Sequence, residues 1–188
     1  MRQLTVLGIG MLLLMGCTSV VNTLTSEPIQ PDPTDKGMVS NISDMKMATF
    51  IGVNLKKADQ GLDDAHINVT VVNSVVLLAG EVPTMELKAQ AGKIARDYTG
   101  VRKVHNELQI RGNTSLVSRT NDKILKAQIK TKLVFEEQVD SSQINVIAED
   151  GVIFLMGVTT KINGDLAANI ASSNNGVRRV VKVFEYVD

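Results

Sequence analysis

The chain repeats itself. Ile67-Asn68-Val69 recurs as Ile144-Asn145-Val146, and at the same offset of 77 residues Val75-Val76-Leu77-Leu78-Ala79-Gly80 matches Val152-Ile153-Phe154-Leu155-Met156-Gly157. One residue out of step, Gly100-Val101-Arg102-Lys103-Val104 matches Gly176-Val177-Arg178-Arg179-Val180, and upstream Asp44, Ile51 and Leu55 align with Asp122, Ile129 and Leu133. Four aligned blocks make this a duplication, which restricts 188 residues to two similar small units. Their expected bounds are 41–112 and 113–188.

Each copy reads in the same order. A first helix carries apolar residues at helical spacing: Met47, Ile51 and Leu55, then Leu125, Ile129 and Leu133. Two short β-branched runs follow, joined at Asn73-Ser74 or Asp150-Gly151, residue pairs that suit a tight hairpin. A second helix comes next, with Leu87, Ala91, Ile94 and Tyr98 on one stripe, and Gly100 or Gly176 is expected as its left-handed cap. A third strand closes each copy, with Val104, Leu108 and Ile110 alternating with polar partners in the first. The fold class is α+β: two tandem αββαβ domains, each a three-stranded mixed sheet covered on one face by two helices. About 70 residues is marginal for a domain standing alone. The short Gly112-Asn113-Thr114-Ser115 connector therefore predicts that the copies touch.

What precedes the first copy reads as processing and tethering. Arg2 is followed by an apolar run from Leu4 to Met15, whose helical rise of about 18 Å is too short for a bilayer core. A charged start, a short apolar stretch and small residues at its end describe a secretory signal over 1–16. The run closes as Leu14-Met15-Gly16-Cys17, which resembles a bacterial lipobox, so Cys17, the only cysteine, is expected to carry acyl chains. Residues 17–40 hold Pro28, Pro31 and Pro33 and show no periodicity, as a flexible leash does. Thr18, rather than Asp, follows the cysteine, which favours an outer-membrane destination.

These pieces together resemble the BON domain family: the helix-first order, Ile67-Asn68-Val69-Thr70, His105-Asn106-Glu107-Leu108, Phe154-Leu155-Met156-Gly157, and Asp165 to Ile170 followed by Ala171-Ser172. A lipobox, a leash and two such domains are similar to dual-BON outer-membrane lipoproteins. The resemblance implies binding of anionic phospholipids, phosphatidylglycerol and cardiolipin, through the first helix of the second domain. It also implies anchorage in the outer membrane facing the periplasm, a part in envelope integrity, and recruitment to division sites.

The residues support such a site independently. On a helical wheel of residues 119–135, Arg119, Lys123, Lys126 and Lys130 share a strip about 90° from the buried stripe. Beside it, away from the core, come Val134, Ala127, Thr131 and Ile124. Cations flanking small and apolar residues suit a helix lying on an anionic headgroup layer. Residues 119–132 hold five cations against one anion, Asp122, while the matching helix over 44–57 holds three cations. Ile124 stands where the better-known family member has an aromatic; it can insert, without the interfacial preference of Trp.

Other chemistry finds little support. With 20 Lys and Arg against 20 Asp and Glu there is no basic field, so nucleic acid is not expected as a partner. His66 and His105 lack companions at metal spacing, so no metal and no cofactor are expected. No nucleophile elbow or phosphate-cradling glycine loop is present, and catalysis is not expected. The rival reading is a protein-interaction adaptor for outer-membrane assembly machinery or peptidoglycan-associated partners.

Overall fold

The computed structural model describes residues 40–187; the expected signal, Cys17 and nearly all of the expected leash lie outside them. The first domain runs α1 (Ser40–Ala58), a one-turn α2 (Gln60–Asp63), β1 (His66–Val72), β2 (Val75–Val82), α3 (Met85–Asp97), β3 (Lys103–Asn106) and β4 (Gln109–Ile110). The second runs α4 (Leu116–Phe135), a 3-10 turn (Ser141–Gln143), β5 (Asn145–Glu149), β6 (Val152–Thr159), α5 (Lys161–Ser172) and β7 (Arg179–Tyr186). The αββαβ order holds in both. β1 and β2 are antiparallel and β2 is parallel to β3 and β4; β5 and β6 are antiparallel and β6 is parallel to β7.

Local chemistry accounts for these elements. Asn73, Ser74, Asp150 and Gly151 all adopt positive φ, which the hairpin turns require. Thr84, Ser115 and Thr160 cap α3, α4 and α5 by accepting from the backbone N–H of Leu87, Ser118 and Asn163. Gly80 and Gly157 permit close strand approach: a Cβ there would lie 2.0 Å from the His66 carbonyl oxygen and 1.9 Å from that of Gln143. Gly100 and Gly176 do take positive φ, but in the turns beyond the helix ends, since the caps are Tyr98 and Ser173. The third strand of the first domain is split, unlike continuous β7. Asn106 turns its amide back, Nδ2 donating to the Lys88 carbonyl and Oδ1 accepting from Leu108 N–H, while Leu108 drops fully into the core.

Each sheet has helices on one face only. Alternation sends Val76, Leu78 and Val82 of β2 toward Ile51, Leu55, Ala91 and Ala95, and Ile153 and Leu155 of β6 toward Leu125, Ile129, Ala167 and Ala171. The opposite faces meet each other. Val75, Leu77 and Ala79 form one buried cluster with Ile147, Phe154, Met156 and Val183. The domains thus stack as helices, sheet, sheet, helices, and β2 is buried on both faces for that reason. Opposing strands run antiparallel, because His66 at the start of β1 meets Glu149 at the end of β5, and Arg179 at the start of β7 meets Glu107 beyond the end of β3.

Candidate functional site

α4 is held to its domain by one carboxylate. Asp122, buried, accepts from the backbone N–H of Asp150 at 2.7 Å and of Gly151 at 2.8 Å. Asp44 of α1 makes the same clamp on Asn73 and Ser74, at 2.6 and 2.9 Å. With Leu125, Ile129 and Leu133 buried beneath it, the helix can present only its outer surface, about 30 Å long.

On that surface Lys123, Lys126, Ala127, Lys130 and Thr131 are exposed, Ile124 is 52% exposed and Val134 65%. No ion pair or side-chain hydrogen bond engages Lys123, Lys126 or Lys130 among the described residues. In α1, by contrast, Lys56 is bound to Asp63 at 3.1 Å. Three unneutralised ammonium groups beside exposed Ile and Val can meet phosphates and acyl chains together.

Seven of the eight expected residues lie on this face; Arg119 does not join them. It is half-buried, its Nε is buried without a hydrogen-bond partner, and its charge bears on His66 and Glu149 between the domains. Phe135, 81% exposed, and Val117, 70% exposed, also belong to the outer face and were not among the expected residues. Their signal was on the wheel, since both fall about 20° from Ile124.

A second polar cluster lies in the seam between the sheets. Glu81, fully buried, accepts from Arg111 Nη2 at 3.1 Å and from the N–H and hydroxyl of Thr114 at 3.3 Å. The same Arg111 nitrogen donates to Asp150 of the second domain, which also receives Arg178 and Ser118. Partial burial works to raise the Asp150 carboxyl, but Arg111, Arg178 and the Ser118 hydroxyl together hold it below its usual range. Burial, then the charges of Glu81 and Asp122, push Glu149 up to about 7, against the opposing pull of Arg119. Burial and then Arg119 lower His66. Among the described residues no group of three or more His, Cys, Asp or Glu side chains is placed to hold a metal ion, and no helix is long and apolar enough to cross a membrane.

The model of the BON domain matches residues 51–112 and 121–188, both copies of the duplicated unit. The chain belongs to the BON domain family. The outer membrane lipoprotein DolP of Haemophilus influenzae is 30% identical over 190 residues, covering all of this chain and 97% of its own length. A 21 kDa hemolysin of Actinobacillus pleuropneumoniae is 32% identical, over 83% of this chain and 79% of its own. The osmotically-inducible protein Y of Escherichia coli is 31% identical, over 68% of this chain and 61% of its own. Two BON domains and a full-length match are the features of a DolP-type dual-BON protein. The second BON match begins inside α4, so it takes in Lys123 to Val134 but not Arg119.

Proposed function

We propose that this protein binds anionic phospholipid, phosphatidylglycerol and cardiolipin, through the outer face of α4. We further propose that it does so as a lipoprotein anchored by Cys17 in the outer membrane, facing the periplasm, where it supports envelope integrity and localises to division sites. The observation that carries the reading is the unneutralised strip of Lys123, Lys126 and Lys130 beside exposed Ile124 and Val134. Each cation near an acidic surface contributes about 1 kcal/mol, so three supply about 3 kcal/mol, which fades within a Debye length of about 8 Å. That is weak in solution and sufficient under a tether that keeps the bilayer at high local concentration. The name of the Haemophilus relative supports the outer-membrane placement.

All three buried clusters are built from residues 47–184, so a chain beginning at Thr18 keeps the folded body and loses the lipid anchor. That chain is expected to sediment with phosphatidylglycerol vesicles at low salt, to stay in solution with neutral vesicles, and to lose binding at high salt or with Lys126→Glu/Lys130→Glu. Equal binding by wild type and the double variant would remove α4 as the site. Binding to neither vesicle would leave the adaptor reading, in which partners dock elsewhere, as the better account.

A further inference from the structure

The outer surface of the second domain extends beyond α4. The loop after α4 is laced to the head of α5: Asp140 N–H donates to Asn163 Oδ1 at 2.9 Å, and Asn163 Nδ2 returns to the Asp140 carbonyl at 3.3 Å. At the other end, Ile124 and Gln128 line a shallow groove with Asn175 and Gly176 of the turn after α5. The side of α4 that carries Ile124 therefore borders the α5 side of the domain at both ends while staying exposed. Phe135 lies on that side, on the last turn.

At this shared end stand the two most exposed large apolar side chains among the described residues, Phe135 at 81% and Ile162 at 83%. Neither belongs to a core stripe; Ile162 points away from Gly164, Ala167 and Ala171, the buried line of α5. A Phe and an Ile left in water forgo the stabilisation that burial would bring, and apolar side chains exposed together mark an interaction surface. The charge that favours an anionic occupant lies on α4. Lys130 and Lys132 are exposed and unpaired on the last turns of α4, and the one acid within the helix, Asp122, is buried in its clamp. Glu136 and Glu137 follow Phe135 directly and weaken the attraction at this end, so insertion rather than charge has to hold it to the bilayer.

We propose that Phe135 and Ile162 are the inserting anchors of this protein, one from each outer helix of the second domain, entering the acyl boundary of an anionic bilayer while the α4 lysines hold headgroup phosphates. This rests on the lipid reading of α4 and adds a second helix and a depth to it.

The chain has no Trp, so single reporters are clean. In the chain beginning at Thr18, Phe135→Trp and Ile162→Trp are expected to shift their emission to the blue on phosphatidylglycerol vesicles and to be quenched by brominated acyl chains. Met45→Trp, exposed on α1, is expected to do neither. Phe135→Ser/Ile162→Ser is expected to weaken vesicle partition about tenfold or more with an unchanged melting temperature. If wild type sediments with the vesicles while the Phe135→Trp and Ile162→Trp reporters both stay unquenched, the anchors are overturned and the lysine face stands. If wild type does not sediment at all, the lipid reading falls and the anchors with it.

Discussion

His66 Nε2 lies 3.2 Å from Glu149 Oε1, joining the first strand of one domain to the first strand of the other across the seam. Glu149 is shielded from water, His66 is half-buried, and one proton between them satisfies both atoms, so the contact ties domain packing to pH. Folded Glu149 holds its proton more tightly than the unfolded chain does. Its contribution is fully present below its ordinary value of 4.5 and is lost as pH rises through about 7. His66 acts in the opposite sense: its lowered value means that stability is lost as pH falls below its ordinary 6.5. Gln at 149 keeps a donor for His66 and removes the carboxylate. Glu149→Gln is therefore expected to melt roughly 4 °C above wild type at pH 8 and level with it at pH 5, by scanning calorimetry. A difference independent of pH would mean that Glu149 is not the titrating group.

The clamp from α4 to its hairpin makes a second prediction. Asp122→Ala orphans two backbone N–H groups at Asp150 and Gly151, and Asp44→Ala does the same at Asn73 and Ser74. Each substitution is expected to cost about 2 kcal/mol in urea unfolding. Asn at either position, with one oxygen left to accept, is expected to fall between. An unchanged midpoint for Asp122→Ala would show the hairpin to be held by its turn alone.

Coupling of the domains is tested at Phe154, which β6 sends into the shared cluster rather than toward its own helices. Phe154→Ala is expected to cost about 3–5 kcal/mol. Its signature is in hydrogen exchange: protection should fall across Val75–Val82 of the other domain as well as across β6. Loss confined to β6 would mean that the sheets pack without stabilising one another.

The elements visible in the sequence were those set by local rules. Period 3.6 placed Met47, Ile51 and Leu55, and Leu125, Ile129 and Leu133, on buried stripes, and all six are buried. Asn73-Ser74 and Asp150-Gly151 formed the turns their chemistry favours. The α4 lysines and Ile124 were legible for the same reason, since side chains a few residues apart on a helix share a face whatever lies beyond it. Leu108 and Ile110 were not, because a strand's alternation fails where a side-chain amide such as that of Asn106 interrupts the ladder.

By itself, then, the sequence determined the duplication, the order of elements, the helix faces and the cation strip, all of them consequences of spacing along the chain. Tertiary structure alone decided where those faces point. Leu77 and Phe154 read as apolar strand residues, but that each shields the other domain's sheet depends on two surfaces far apart in the chain. Arg119 carries the register of a lipid-facing cation, yet it is half-buried and its charge bears on Glu149 of the seam. Phe135 and Ile162 belong to separate helices and share one end of the domain, where Asp140 and Asn163 are hydrogen-bonded between them. Charge and apolar contact act through space, and their partners are chosen only when the chain has closed.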